Sequence, residues 1–228
     1  MVAANPLQSL IAAVSLIGDP ESFGNAVIYL GLADSQTVRL LTKCPAVPPA
    51  SGDRCVTLNP APSSTHFDEA DIASIELPPD TTDTLLCFSL TPFMSNVFGN
   101  STAVARQGQL KVVLTVTISS SVLQDPSLLD PATSLPLNGS LPHSMLIEQQ
   151  SFTMQPHDFR LDNSPRSLDC TYGFVQRAQL IDYYGLTPAQ ADDFFAGPIT
   201  LKFGVYGTAT LLETGIYDFV VRLYGDDK

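Results

Sequence analysis

Apolar and polar residues alternate most clearly over Gln109–Ile118, where Leu110, Val112, Leu114, Val116 and Ile118 fall on one side and Lys111, Thr115 and Thr117 on the other. Successive side chains of a strand point to opposite faces, so this pattern predicts a strand with one face in a core and one in water. Ile216–Tyr224 alternates equally well, with Tyr217, Phe219, Val221 and Leu223 opposite Asp218 and Arg222. Gly207 and Gly215 separate Ile199–Tyr206, Thr208–Glu213 and Ile216–Tyr224 at hairpin spacing, which predicts an antiparallel meander of three strands. Further strands are expected at Ala26–Ala33, Thr37–Thr42, Arg54–Leu58, Ile72–Leu77, Thr84–Leu90 and Ser151–Met154.

The helical period surfaces in fewer places. Thr187-Pro188-Ala189-Gln190 offers an N-cap, a proline at the first helical position and a Gln at the third, which together form a capping box. Gly197-Pro198 supplies the stop, and Phe194 and Phe195 are expected to fasten this helix to a sheet. A second helix is expected over Phe174–Tyr184, with Phe174, Ala178, Ile181 and Tyr184 on its buried face. Near the N-terminus Leu7, Leu10, Ile11, Val14 and Ile17 share a helical stripe behind Asn5-Pro6. That segment reads as a docking helix, with a strand from Ser9 as the rival. A secretory signal needs a basic start, and the first basic residue is Arg39.

Two stretches, 45–64 and 119–144, are rich in Pro and Ser and predict long loops. No fixed-period repeat or charge block divides the chain, so residues 1–228 are expected to form a single domain. The expected fold is mainly β, an antiparallel barrel or sandwich with one or two short helices near residues 174–196.

Composition narrows the function classes. The 228 residues include 11 Lys or Arg against 23 Asp or Glu, a formal net charge of −12. Nucleic acid and anionic lipid are both bound chiefly through cationic side chains, so neither is an expected partner. Only 15% of residues are charged while 44% are hydrophobic, which is the make-up of a core-forming chain. No apolar run approaches the roughly 18 residues a membrane-spanning helix needs.

The four cysteines lie at 44, 55, 87 and 170, without the close spacings of zinc ribbons or redox pairs. Cys44 and Cys55 bracket a Pro-rich loop that a disulfide can close in an oxidising compartment, with free thiols as the alternative. Cys87, in the apolar run Leu85-Leu86-Cys87-Phe88, reads as a buried free thiol. Asn100-Ser101-Thr102 and Asn138-Gly139-Ser140 are glycosylation triplets that matter only on a secretory route.

Candidate chemistry is sparse. His66-Phe67-Asp68 has the spacing of a two-histidine, one-carboxylate metal triad, with His157 able to supply the second imidazole and Arg166 an anchor for an acidic co-substrate. This resembles the motif order of Fe(II)/2-oxoglutarate oxygenases. Its setting, Ser63 to Asp71, reads instead as a polar surface loop, so no metal, cofactor or catalytic residue is expected. Cys170 with His157 offers a thiol–imidazole pair, set against an ordinary buried cysteine. No nucleophile elbow, phosphate loop or dinucleotide fingerprint occurs, and no carboxylate pair stands out as a glycosidase site. Asp68-Glu69-Ala70-Asp71 lacks the glycine and the alternating oxygens of a calcium loop, and Asp192-Asp193 suits the start of a helix without any ligand.

The Pro/Ser/Leu-rich segment 119–144 followed by the closing strands of Ile199–Tyr224 resembles the protruding or spike domain of a small non-enveloped RNA virus capsid protein, astrovirus-like in length. The resemblance implies a homodimeric β-domain on the virion surface that binds a protein or glycan receptor and antibodies and performs no catalysis. It names no binding residue. The alternatives are a β-jelly-roll metalloenzyme using His66, Asp68 and His157, and an extracellular binding module.

Overall fold

The computed structural model describes residues 27–34, 37–47, 52–82, 84–165 and 175–226. The expected helix over Leu7–Ile17 lies outside them. Eleven strands are present: β1 (Val27–Asp34), β2 (Val38–Leu41), β3 (Arg54–Thr57), β4 (Thr65–Leu77), β5 (Thr84–Gly99), β6 (Arg106–Ser119), β7 (Ser140–Met154), β8 (Phe159–Pro165), β9 (Val175–Gln176), β10 (Ile199–Thr210) and β11 (Leu212–Asp226). The larger sheet runs β3-β2-β11-β5-β8, with β1 also on β11 and β9 also on β5. The smaller sheet runs β4-β10-β6-β7. Every pairing is antiparallel except β2 with β3. The result is a sandwich of two open sheets, the second of the two architectures expected.

The alternating strands generate the core. Leu110, Val112, Leu114, Val116 and Ile118 of β6 are all at most 2% exposed. They share one cluster with Val38, Leu40, Phe98, Tyr217 and Leu223 of the larger sheet. Rings bridge the layers: Phe67 of β4 stacks on Tyr217 of β11, and Phe98 of β5 meets Phe152 of β7 edge-on. Helix α2 (Pro188–Ala196) carries the expected capping box, with the Gln190 amide donating to Thr187 Oγ1 and the Thr187 amide donating to Gln190 Oε1. Such a cap contributes about 1 kcal/mol. Phe194 and Phe195 of α2 are buried in the core cluster.

The closing meander is overturned. Ile199–Thr210 is one strand of the smaller sheet and Leu212–Asp226 one strand of the larger, so Gly207 and Gly215 lie within strands. Gly207 is needed for close approach, since a Cβ there would overlap the Lys111 carbonyl and come within 2.6 Å of Phe67 Cζ. The real corner is Leu211, buried and at φ 60°, through which the chain passes from one sheet to the other. Its carbonyl accepts from the Gly99 amide at 3.0 Å. Single-residue bends of this kind let one strand serve two sheets.

Other boundaries move for local reasons. β4 begins at Thr65, so the stretch expected as a polar loop is strand, with Thr65 and Phe67 buried and His66 and Asp68 exposed. A bulge near Asp71, at φ 54°, then shifts its register against β10. β5 continues past Pro92 as far as Gly99. The expected loop 119–144 contains a 3-10 turn at Ser121–Gln124, buries Leu123, Leu128 and Leu137, and gives way at Ser140 to β7. Pro142 is tolerated there because β7 is an edge strand. The expected helix Phe174–Tyr184 shrinks to α1 (Arg177–Asp182) behind the short β9. Its core anchor is Leu180, while Ala178 is exposed and Phe174 lies outside the described residues. β8 is a strand that the pattern had not singled out.

Candidate functional site

The most organised polar cluster forms where the end of β5 meets the turn between β7 and β8. Asn100, 1% exposed, ties the corner together. Its Nδ2 donates to the carbonyls of Val104, Met154 and Gln155 at 2.9, 3.1 and 3.0 Å. Its Oδ1 accepts from the Thr102 amide and hydroxyl. The Asn100 amide donates to the Asp158 carbonyl, and the His157 amide donates to the Asn100 carbonyl. This leaves His157 at φ 64° on the surface. Asp158 closes the turn by accepting from the Gln155 amide at 2.6 Å.

Beside this knot is an open pocket of about 260 Å³ lined by Gly99, Asn100, Ser101, His157, Asp158, Phe159 and Glu213. The Leu211 corner delivers Glu213 across Gly99, where any Cβ would collide with the Glu213 carboxylate. The pocket offers carboxylate acceptors and the exposed ring of Phe159, a lining suited to hydrogen-bond donors or a basic group.

The sequence-predicted residues are scattered. His66 and Asp68 project from the outer face of β4, and His157 belongs to the β7–β8 turn. Among the described residues no three His, Cys, Asp or Glu side chains are grouped as metal ligands would be, so His66, Asp68 and His157 form no triad. Arg166 and Cys170 lie outside the described residues, as does the side chain of Cys87. Cys44 and Cys55 are joined by a disulfide, Cα–Cα 5.9 Å, at the only parallel pairing described. Parallel strands need a connection of about a dozen residues, and the Pro-rich loop supplies it.

The two glycosylation triplets separate. Asn100 is buried with its amide engaged, whereas Asn138 is exposed in a tight turn. Asn138 at φ 51° and Gly139 at φ 88° are the two central residues, and the Ser140 amide donates to the Leu137 carbonyl. Positive φ at both positions is the geometry Asn-Gly favours.

Sequence reasoning missed the exposed apolar residues of β7 and β8. Phe159 is 67% and Leu161 55% exposed on β8, and Leu146 and Met145 are exposed on β7. The signal was the alternation of Phe159 and Leu161 with Arg160 and Asp162, too short to stand out beside the longer strands.

No protein-family model matches this chain, and no curated protein matches it. Among solved structures it is similar to infectious bursal virus derived T=1 particles, at 10% identity over 88% of this chain and 31% of that one, with a TM-score of 0.19. It is also similar to the infectious bursal disease virus VP2 subviral particle, at 10% identity over 88% of this chain and 31% of that one, with a TM-score of 0.18. The chain thus spans 31% of the length of each of these two structures.

Proposed function

We propose that the chain is a single non-enzymatic recognition domain, an outer capsid spike or protruding domain that binds a host receptor and antibodies. What supports this is the display of large apolar side chains on two strands that lie at the ends of their sheets. Phe159 and Leu161 stand in water on β8, and Met145 and Leu146 are exposed on β7. Rigid, exposed apolar groups are the anchors from which protein interfaces draw most of their energy. The acidic coat keeps such a surface soluble and selects against anionic partners.

The test is binding of fluorescently labelled protein to a panel of intact cells, with and without prior protease or glycosidase treatment. Saturable binding, displaced by unlabelled protein and removed by one of the treatments, is expected. Lack of saturable binding across the panel overturns the proposal. So does stoichiometric iron or zinc in the purified protein that disappears on His66→Ala.

The Cys44–Cys55 disulfide favours a second reading, an extracellular binding module, because such bonds persist in oxidising compartments. The two part on how the protein sediments from its native source: as a particle for the capsid domain, as a free chain for the module.

A further inference from the structure

Sheet edges invite pairing with other chains, and proteins blunt them with bulges, short strands or covering elements. The described edges here are blunted, with one exception. β1, β4 and β7 each carry a register shift, β3 is four residues long and β9 two. β8 pairs with β5 through seven consecutive residues without interruption. Among the described residues nothing pairs on its other side.

The orientation of its backbone follows from the same register. Asn100 continues the β5–β8 ladder opposite Asp158, and its amide donates to the Asp158 carbonyl. Pairs two residues apart along an antiparallel ladder are of the same kind. Residues 160 and 162 therefore turn their amides and carbonyls toward β5, and residues 159, 161 and 163 turn theirs to the open side. The side chains divide likewise. Arg160 lies over the Phe152 ring and Asp162 accepts from Gln150, both toward β7, while Phe159 and Leu161 face water.

We propose that β8 is the interface of a two-fold homodimer, pairing antiparallel with β8 of a second copy in a register centred on Leu161. In that register Leu161 faces its own counterpart, and each supplies the outward amide and carbonyl the other requires. Arg160 of each copy stands opposite Asp162 of the other, so the strand is complementary in charge to itself, as an isologous interface demands. Phe159 faces Asn163 and reaches diagonally to the opposite Leu161, which removes both exposed apolar side chains from water. The larger sheets of the two copies then join into one continuous sheet. This deepens the recognition-domain reading by naming its self-partner, but it is tested by association alone, so its failure leaves receptor binding standing.

The experiment is sedimentation equilibrium of the full chain from 1 to 200 µM, with circular dichroism as the control for folding. The wild type is expected to dimerise. Arg160→Asp, which sets acid against acid twice across the two-fold, is expected to weaken the dimer at least tenfold, as is Asp162→Arg. The double variant R160D/D162R restores the pairs in reversed order and is expected to restore the dimer. Leu161→Pro is a second probe: it deletes the outward amide while leaving the bonds to β5 in place, and should give a folded monomer. A wild type that stays monomeric at 200 µM overturns the proposal. So does a dimer indifferent to the single reversals and to Leu161→Pro, or one that the double variant fails to restore.

Discussion

The Tyr217 hydroxyl of β11 donates to Asn96 Oδ1 of β5 at 3.0 Å, with both residues sealed between the sheets. Gly215, in register with Asn96, leaves the room: a Cβ there would sit 2.9 Å from the tyrosine oxygen. Burial, reinforced by the nearby Glu148 charge, pushes the phenol well above its ordinary pKa, so it stays a donor at any working pH. Tyr217→Phe keeps the shape and strands the Asn96 acceptor. Chemical denaturation should register a loss of about 1–3 kcal/mol with an unchanged denaturant slope.

Asn100 holds three carbonyls that belong to two different segments of chain. Asn100→Asp replaces their donor with a repelling carboxylate and should destabilise more than Asn100→Ala, which itself is expected to cost on the order of 2–3 kcal/mol. Thermal melts of the two variants check the ordering. If the protein is passed through a secretory pathway, peptide mapping of the folded product should find Asn100 unmodified, because its amide is internal.

The disulfide closes a short loop, Cys44 and Cys55 being 11 residues apart. Loop-closure entropy puts the stabilisation at about 2–3 kcal/mol. Cys44→Ser with Cys55→Ser should therefore lower the melting temperature. Hydrogen exchange should quicken first in β3, whose described pairing is with β2 alone. Uniform acceleration across the larger sheet would contradict this.

Burial lowers the pKa of His143. The unfolded chain therefore takes up a proton more readily than the folded one between the folded value and about 6.5. Stability from this group is complete above that window and falls as the pH drops through it. Denaturation midpoints measured between pH 7.5 and 5 should decline, and His143→Gln should flatten that part of the curve. The Asp125 carboxyl, held down by the Ser127 hydroxyl and amide, loses its share in the same direction but further into acid, as the pH falls from the ordinary carboxylate value through its lowered one.

What the residues reveal in advance depends on whether the signal is local. The alternation of β6 and the capping box of α2 rest on neighbours in sequence, and both appear as expected. Gly207 and Gly215 misled because a glycine marks either a turn or a close approach, and the Lys111 carbonyl that decides between them is far away in the chain. His66 and His157 share a plausible spacing, yet spacing does not say that one stands on an outer strand face and the other in a turn. The disulfide was half legible: the bracketing of the loop is visible, but the parallel pairing of the strands on either side of that loop is not.

The passage of the chain through Leu211 also orders events in time. β11 pairs with β1, β2 and β5, all of which precede it in synthesis. β10 likewise joins β4 to β6, again after both have been made. Until the ribosome has released the segment on either side of Leu211, each sheet lacks its central member and neither can close its core. Folding must therefore wait on late, long-range contacts, and the half-made chain depends on its acidic charge, or on a chaperone, to stay in solution.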